Sequence, residues 1–487
     1  MIPDKYQQKI IEEYCRTGHN LFISATAGAG KTSTLVELAR RTPPAKSSIF
    51  LAFNKSIAEE LKNRLPPTIK AQTIHGCAFA ALKRAFNFKY TIKENKYYSI
   101  AEGILKQDGV HLKRIPSMSM QLCRLFDLIR FNLAFTAEEM QNVAIRYGED
   151  ATEELLNRLV RLYGVAEAGW NQIFMGEAGT SASVALDFTD MLLFAVRYVP
   201  EEDFKKYSIV MVDECQDISP LQYRLILKLR TPKGRLIAVG DERQAIYGFQ
   251  GSNLNSLKAI QQTPNTVTLP LSMTYRCARA IVEEACRVFP DSIEASPTAS
   301  TGIVRHGGWV KEATDGDFVL CRNNAPLIRA WLTLVKRGQC CHILGKEFGD
   351  DLINLIDGVS SVTELDGVLL AMLATLRRKG YQHPERCEPY VQLEEKITVI
   401  LDLYDYFGSL AVVRDRIYDI FVENTDNLGV TLSTIHKSKG LEADRVFILE
   451  PDLIPSRFAT TEQDFYAEKC LLFVAITRAR KELIYID

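Results

Sequence analysis

The residues best suited to chemistry stand in two short stretches far apart in the chain. Ala25-Thr26-Ala27-Gly28-Ala29-Gly30-Lys31-Thr32-Ser33 is a run of small residues closed by a lysine and two hydroxyls. Small residues let successive backbone N–H groups close round phosphate oxygens, and a helix opening at Lys31 adds the positive end of its dipole. In such a loop the lysine, Lys31, reaches the β- and γ-phosphates of ATP, and the hydroxyl of Thr32 ligates Mg²⁺. Ala25 stands where the GxxxxGK[ST] pattern has its first glycine, a departure of one methyl group. The second stretch, Ser208-Ile-Val-Met-Val-Asp213-Glu214-Cys-Gln216-Asp217, sets two acids after a short apolar run. Asp213 suits a carboxylate that holds Mg²⁺, directly or through water. Glu214 suits one that orients or deprotonates an attacking water. The pair predicts a nucleoside triphosphatase.

Such residues need a sheet to bring them together. Near-continuous apolar runs predict buried parallel strands at 21–24, 48–53, 70–73, 209–213, 235–240 and 266–269. A second set is predicted at 302–305, 318–321, 342–344, 430–433, 445–449 and 483–486. Strand–helix alternation twice over predicts two α/β domains, residues 1–87 with 184–272 and residues 273–351 with 427–487. Strand character is lost over 88–183 and again over 352–426, where amphipathic periodicity predicts helical insertions. The clearest helices are expected at 118–133, 137–147, 152–163, 362–379 and 391–407.

Composition narrows the class. The 487 residues carry 59 Lys and Arg against 60 Asp and Glu, so bulk cationic coating of nucleic acid is excluded. A local basic track is not. No two of the 11 cysteines stand in a CxxC spacing, which predicts reduced thiols rather than a metal cage. No signal-like N-terminus or membrane-length apolar stretch is present, so a soluble, cytoplasmic protein without a membrane partner is expected.

Further motifs sharpen this. DECQD resembles the DExQD motif of superfamily 1 helicases of the UvrD/Rep type, and other blocks agree in order and spacing. Gly240-Asp241-Glu242-Arg243-Gln244-Ala-Ile-Tyr247-Gly-Phe249-Gln250-Gly251 resembles the family's GDxxQxIYxxRGA segment. Thr274-Tyr275-Arg276 resembles its NYR element. Thr434-Ile-His436-Lys-Ser-Lys439-Gly440-Leu-Glu442 resembles TxHxxKGLE, and Val474-Ala-Ile-Thr477-Arg478-Ala479 resembles VAxTRA. The segments around Asn54-Lys55 and Thr73-Ile-His75 look most like the F-box DNA helicase branch, without an F-box. The resemblance runs from Gln7 to Arg478 and implies two RecA-like P-loop domains.

It also implies roles. Residues Ala25 to Ser33 and Gly440 would bind nucleotide, Gln7 would read the adenine edge, and Tyr275 would stack on its ring. Gln244 would sense the γ-phosphate, and Glu442 would contact the ribose. Charge developing on the γ-phosphate calls for fixed cations, so Arg276 and Arg478 are expected as arginine fingers facing ATP. The segments holding Asn54, Lys55, Thr73, His75, Thr434 and His436 would touch the DNA strand. Phe249, with Tyr247 nearby, matches the base-stacking position. Asp187-Phe-Thr-Asp190 would serve DNA-side positioning without catalysis.

The window Lys83 to Tyr98 interleaves five basic residues with five aromatics, which suits either single-stranded nucleic acid or a snorkelling amphipathic helix. Gln250 and Thr274 depart from the family's usual Arg and Asn, and the second insertion is short. The chain ends nine residues after Arg478, so no fused nuclease is expected within it. The expectation is an ATP- and Mg²⁺-dependent helicase that moves 3′-to-5′ on single-stranded DNA and unwinds tailed duplexes. The alternative is an ATP-gated DNA-sensing or translocating subunit of a repair, recombination or defence complex, with a protein partner. An RNA helicase is disfavoured because the first insertion reads as helical rather than as a β-barrel.

Overall fold

The computed structural model describes residues 2–52, 54–112, 115–147, 151–175, 183–246, 254–378, 383–423 and 429–486. The chain divides into two compact units, Met1–Ala25 with Gly30–Leu271, and Thr26–Ala29 with Ser272–Asp487.

In chain order the strands of the first unit are β1 (Asn20–Ala25), β2 (Ser48–Ala52), β3 (Ile69–Thr73), β4 (Lys89–Ile92), β5 (Ser183–Leu186), β6 (Tyr207–Val212), β7 (Arg230–Gly240) and β8 (Thr266–Leu271). Six of them form one parallel sheet in the order β3-β2-β6-β7-β1-β8. Every residue of β2 is buried, and β1 and β6 each leave only one residue partly open. Burial on both faces explains why these strands read as unbroken apolar runs without alternation. All six predicted strands are present, with ends shifted by a few residues.

The stretch expected to be mostly helical also contains strand. β4 and β5 pair in parallel, Lys89 opposite Ser183, outside the main sheet. Four residues are too few to show periodicity, and only the distant partner makes Lys89–Ile92 a strand. Between them run helices Tyr98–Gln107, Ile115–Asn132, Ala137–Arg146 and Glu153–Phe174, the last continuing well beyond Tyr163. These helices share one hydrophobic core with the sheet, in which Phe126, Leu159 and Trp170 join Phe22, Leu51 and Phe194.

The second unit contains β9 (Met273–Thr274) and β10 (Glu294–Ala295), a two-stranded ribbon. Its main sheet comprises β11 (Ile303–His306), β12 (Phe318–Cys321), β13 (Cys341–Leu344), β14 (Phe421–Val422), β15 (Val430–Thr434), β16 (Ala443–Leu449) and β17 (Ala479–Ile486). All pairings are parallel, in the order β11-β17-β16-β12-β15-β13-β14. The edge strand β14 falls inside the second stretch expected to be helical, which otherwise forms helices Val362–Arg378, Glu388–Phe407 and Leu410–Ile420. Gly429 (φ 80°) leads into β15 because a Cβ there would lie 2.3 Å from the Cys340 carbonyl oxygen.

All 11 cysteines are free, and among the described residues no group of three or more His, Cys, Asp and Glu side chains is placed to hold a metal ion. Among the described residues no single helix is long and apolar enough to cross a membrane.

Candidate active site

The loop after β1 turns back through two glycines in the left-handed region, Gly28 (φ 68°) and Gly30 (φ 77°). Gly30 is the N-cap of helix Lys31–Arg40 and supplies no side-chain cap. The first N–H groups of that helix are therefore open to an anion, as a phosphate site requires. The buried Thr26 hydroxyl has no hydrogen-bond partner among the described residues, a second polar group fitted to phosphate.

Parallel pairing brings the loop and the acids to one sheet edge, because β6 is separated from β1 only by β7. There the Lys31 ammonium donates to Glu214 Oε2 at 2.6 Å, and the Thr32 hydroxyl donates to Asp213 Oδ2 at 2.5 Å. Burial, then the neighbouring Glu214 charge, raises the Asp213 pKa to about 6, against the opposing Thr32 and Lys31 contacts. Burial pulls Lys31 downward, but Glu214, Asp241 and Asp213 outweigh it and the net shift is upward. The Thr32 hydroxyl and the Asp213 carboxylate, the latter raised in pKa by burial, form a hard-oxygen donor pair that fits Mg²⁺.

Glu214 sits in the left-handed region (φ 49°), where a non-glycine residue is strained by about 1 kcal/mol or more. Its N–H donates to Asp213 Oδ1 at 2.9 Å. Its carboxylate also accepts from Gln216 Nε2 at 2.6 Å, and Gln216 Oε1 accepts the Asp241 N–H at 3.1 Å. Asp241 in turn accepts from Gln244 Nε2 at 2.6 Å and Arg243 Nε at 2.9 Å, and Arg243 Nη2 donates to the Ala25 carbonyl at 3.2 Å. A polar relay thus runs from Glu214 to the predicted γ-phosphate sensor and back to the loop. Gly240 makes it possible, since a Cβ there would lie 2.6 Å from Cys215 Sγ and 2.7 Å from Gln216 Oε1. Sequence reasoning gave Gln216, Asp241 and Arg243 no role, although their motifs were its only signal.

Gln7 is buried, whereas Gln8 is exposed and its Nε2 donates to the Pro3 carbonyl at 3.0 Å. Gln7 completes a capping box with Asp4 and donates Nε2 to Thr34 Oγ1 at 3.1 Å, beside a small cavity lined by Pro3, Gln7, Ile11, Thr34 and Glu37. Thr34 is a partner the sequence did not signal.

In the second unit Arg276 is ion-paired through Nε with Glu442, and its Nη1 donates to the Thr477 carbonyl at 3.3 Å. The expected ribose contact is thus held by a guanidinium. Thr274 Oγ1 accepts the Arg276 N–H at 3.3 Å. Arg478 is 1% exposed and donates to the carbonyls of Val474 (3.1 Å) and Leu441 (3.0 Å). Tyr275 is half exposed, and Gly440 has φ 89°.

Several residues expected on the DNA side also terminate helices. Asn54 caps Lys55–Lys62 by accepting the Ile57 N–H at 2.8 Å, and Thr73 caps Ile74–Ala85 by accepting the Gly76 N–H at 3.1 Å. Lys55 is exposed. His75 packs edge-on to Phe188 (6.1 Å), and burial lowers its pKa. Burial, then Arg322, lowers the His436 pKa to about 4, so both imidazoles are neutral at pH 7. Thr434 ends β15 partly buried. Tyr247, Phe249 and Gln250 lie outside the described residues.

Asp187 and Asp190 are the centre of a buried network. Arg130, 1% exposed, donates to Asp187 Oδ2 at 2.8 Å and Asp190 Oδ1 at 2.6 Å, and the Tyr97 hydroxyl donates to Asp190 at 2.7 Å. Lys96 pairs with Asp190 Oδ2 at 2.6 Å. In the Lys83–Tyr98 window Tyr97 is buried, and Phe86 and Phe88 stack on each other (5.5 Å) and meet Phe174 edge-on. Its aromatics serve packing while Lys83, Lys89 and Lys93 stay exposed, the snorkelling alternative.

A phosphate loop and a carboxylate pair on the C-terminal edge of a parallel sheet are the parts of a P-loop nucleoside triphosphatase. The UvrD/REP helicase N-terminal domain model matches residues 4–265, and the UvrD-like helicase C-terminal domain model matches residues 419–486. The chain belongs to the UvrD/REP helicase family. It is 25% identical to F-box DNA helicase protein 1 of Schizosaccharomyces pombe (strain 972 / ATCC 24843), covering 99% of this chain and 57% of that protein. It is also 25% identical to ATP-dependent DNA helicase PcrA of Staphylococcus aureus (strain Mu50 / ATCC 700699), over 62% of this chain and 43% of the relative. DNA helicase IV of Escherichia coli (strain K12) is 25% identical over 55% of this chain and 45% of its own length. The chain spans about half the length of the curated relatives it matches.

Proposed function

We propose that the chain is an ATP-dependent DNA helicase that moves 3′-to-5′ along single-stranded DNA and unwinds tailed duplexes. The observation that carries this reading is the pairing of Lys31 with Glu214 and of Thr32 with Asp213, in a chain of the UvrD/REP family. Lys31 leaves Glu214 for the β- and γ-phosphates, freeing that carboxylate to orient and deprotonate water. Thr32 and Asp213 hold Mg²⁺, which when bound neutralises charge on the phosphates. Gln7 takes the adenine edge, and Tyr275, Gly440 and Glu442 complete the nucleotide contacts. Gln244 reports the γ-phosphate through Asp241, and Arg276 and Arg478 stabilise charge as the γ-phosphate departs. Asn54, Lys55, Thr73, His75, Thr434 and His436 hold the strand backbone, and Tyr247 with Phe249 stack on bases. The residues 88–183 and 352–426 act as insertions that guide DNA.

Turnover and strand displacement on duplexes with a 3′ tail, a 5′ tail or no tail test the proposal. DNA-stimulated hydrolysis with displacement from the 3′-tailed substrate is expected. Lys31→Ala is expected to lower hydrolysis by roughly 10³-fold, and stimulated hydrolysis surviving in that variant sinks the assignment. Robust DNA-stimulated hydrolysis without displacement by the purified chain favours the translocating-subunit alternative.

A further inference from the structure

At the N-terminal ends of β2, β6 and β7, the edge opposite the catalytic carboxylates, the first unit carries a cavity of about 480 Å³. Arg41, Lys46, Lys233 and Arg235 line it, and no carboxylate does. In a chain with 59 basic and 60 acidic residues, that is a local concentration of one sign. Glu37 pairs with Arg41 at 2.9 Å, which leaves Arg41 compensated, and Glu13 is engaged with His19 at 2.8 Å. Lys46 and Lys233 are exposed and have no ion pair among the described residues.

Arg235 is held as a fixed fork. Its Nε donates to the His19 carbonyl and its Nη1 to the Tyr14 carbonyl, both at 2.9 Å, and the guanidinium lies 4.6 Å over the Tyr14 ring. The remaining nitrogen, Nη2, is buried and has no hydrogen-bond partner. Burial holds the Arg235 pKa below its ordinary value, against the opposing influence of Tyr14 and Glu13. A buried cationic donor without an acceptor is costly, and an oxyanion is the group that would satisfy it. A tetrahedral phosphate offers enough acceptors for one guanidinium nitrogen and two ammonium groups together. The volume lies within the range of small-ligand sites.

We propose that this cavity is a phosphate-binding site that takes a phosphoryl or phosphodiester group, distinct from the ATP site. At ~3.3 Å per residue, the length of β6 keeps the two sites ~20 Å apart. Occupancy therefore does not compete with nucleotide at Lys31. The group comes either from a free phosphorylated molecule or from a nucleic-acid backbone, and the two sources are separable.

The test uses the full chain carrying Lys31→Ala, which removes the ammonium of the ATP site. Isothermal titration with inorganic phosphate, and separately with a short blunt duplex DNA, is expected to give saturable binding of at least one of them. Adding Lys46→Glu and Lys233→Glu is expected to weaken that binding at least ~10-fold, since it reverses the two lining charges that carry no ion pair among the described residues. Both lysines are exposed, and an unchanged Tm confirms folding. Weakening of phosphate binding alone assigns the site to a free phosphorylated molecule, and weakening of duplex binding assigns it to a phosphodiester. No saturable binding of either, or binding unchanged by the charge reversals, overturns the proposal. A polyglutamate peptide bound more tightly than both ligands also overturns it. With Lys31 intact, the two reversals leave hydrolysis stimulated by single-stranded DNA unchanged, so the outcome is separate from the fate of the helicase reading.

Discussion

Asp213 is a carboxylate held at a disadvantage until a cation arrives. Its pKa in the folded protein is about 6, above the ordinary value near 4, so between these two pH values the folded state binds more protons than the unfolded one. Stability from this group is therefore highest at low pH and falls as pH rises from about 4 to about 6. Asp213→Asn should raise the Tm of the nucleotide-free protein above pH 6, with the gain shrinking toward pH 4 in a pH series of melts. The same change should lower hydrolysis by ~100-fold or more. Arg243 is a positioning residue, since it grips the Ala25 carbonyl while sharing Asp241 with Gln244. Losing one charge-assisted hydrogen bond is worth about 1.5–3 kcal/mol. Arg243→Ala should therefore weaken ATP binding by roughly 10- to 100-fold in a fluorescent-nucleotide titration. Arg243→Lys should recover little, because an ammonium cannot span both acceptors.

At the scale of elements, the first insertion is anchored to helix Phe188–Tyr198 by charge as well as by apolar packing. Arg130, on helix Ile115–Asn132, meets Asp187 and Asp190 at the start of helix Phe188–Tyr198. Removing one partner of a buried pair leaves the others uncompensated and costs about 3–5 kcal/mol. Arg130→Met should lower the Tm by several degrees, while ATP turnover per folded molecule at low temperature stays near that of the parent. Strands buried on both faces were legible because composition alone marks them. The β4–β5 pair and the edge strand β14 were not, since each depends on a partner far away in sequence. Caps explain a further ambiguity: Asn54, Thr73 and Asp187 satisfy helix ends, a local task that produces the same residue types as a polar binding surface.

For the whole molecule, balanced charge has a consequence for affinity. Of the residues proposed to hold the strand backbone, Asn54, Thr73 and Thr434 are neutral, both imidazoles are neutral at pH 7, and Lys55 is the one cation. Few counterions are then released on binding. A log–log salt slope on the order of −1 to −4 is expected for single-stranded DNA in fluorescence anisotropy across a salt series, and a slope near −10 contradicts it. The sequence by itself determined the features that are contiguous: the small-residue loop between β1 and its helix, and the acids at the end of β6. Each of these is a local pattern, dictated by backbone conformation and burial over a few residues. Only the tertiary structure decided which polar side chains meet. Gln7 with Thr34, Gln216 with Asp241, Arg243 with Ala25 and Arg130 with Asp190 are pairings between distant segments. They are set by strand order and by the burial that forces each donor to find an acceptor. No periodicity along the chain carries that information.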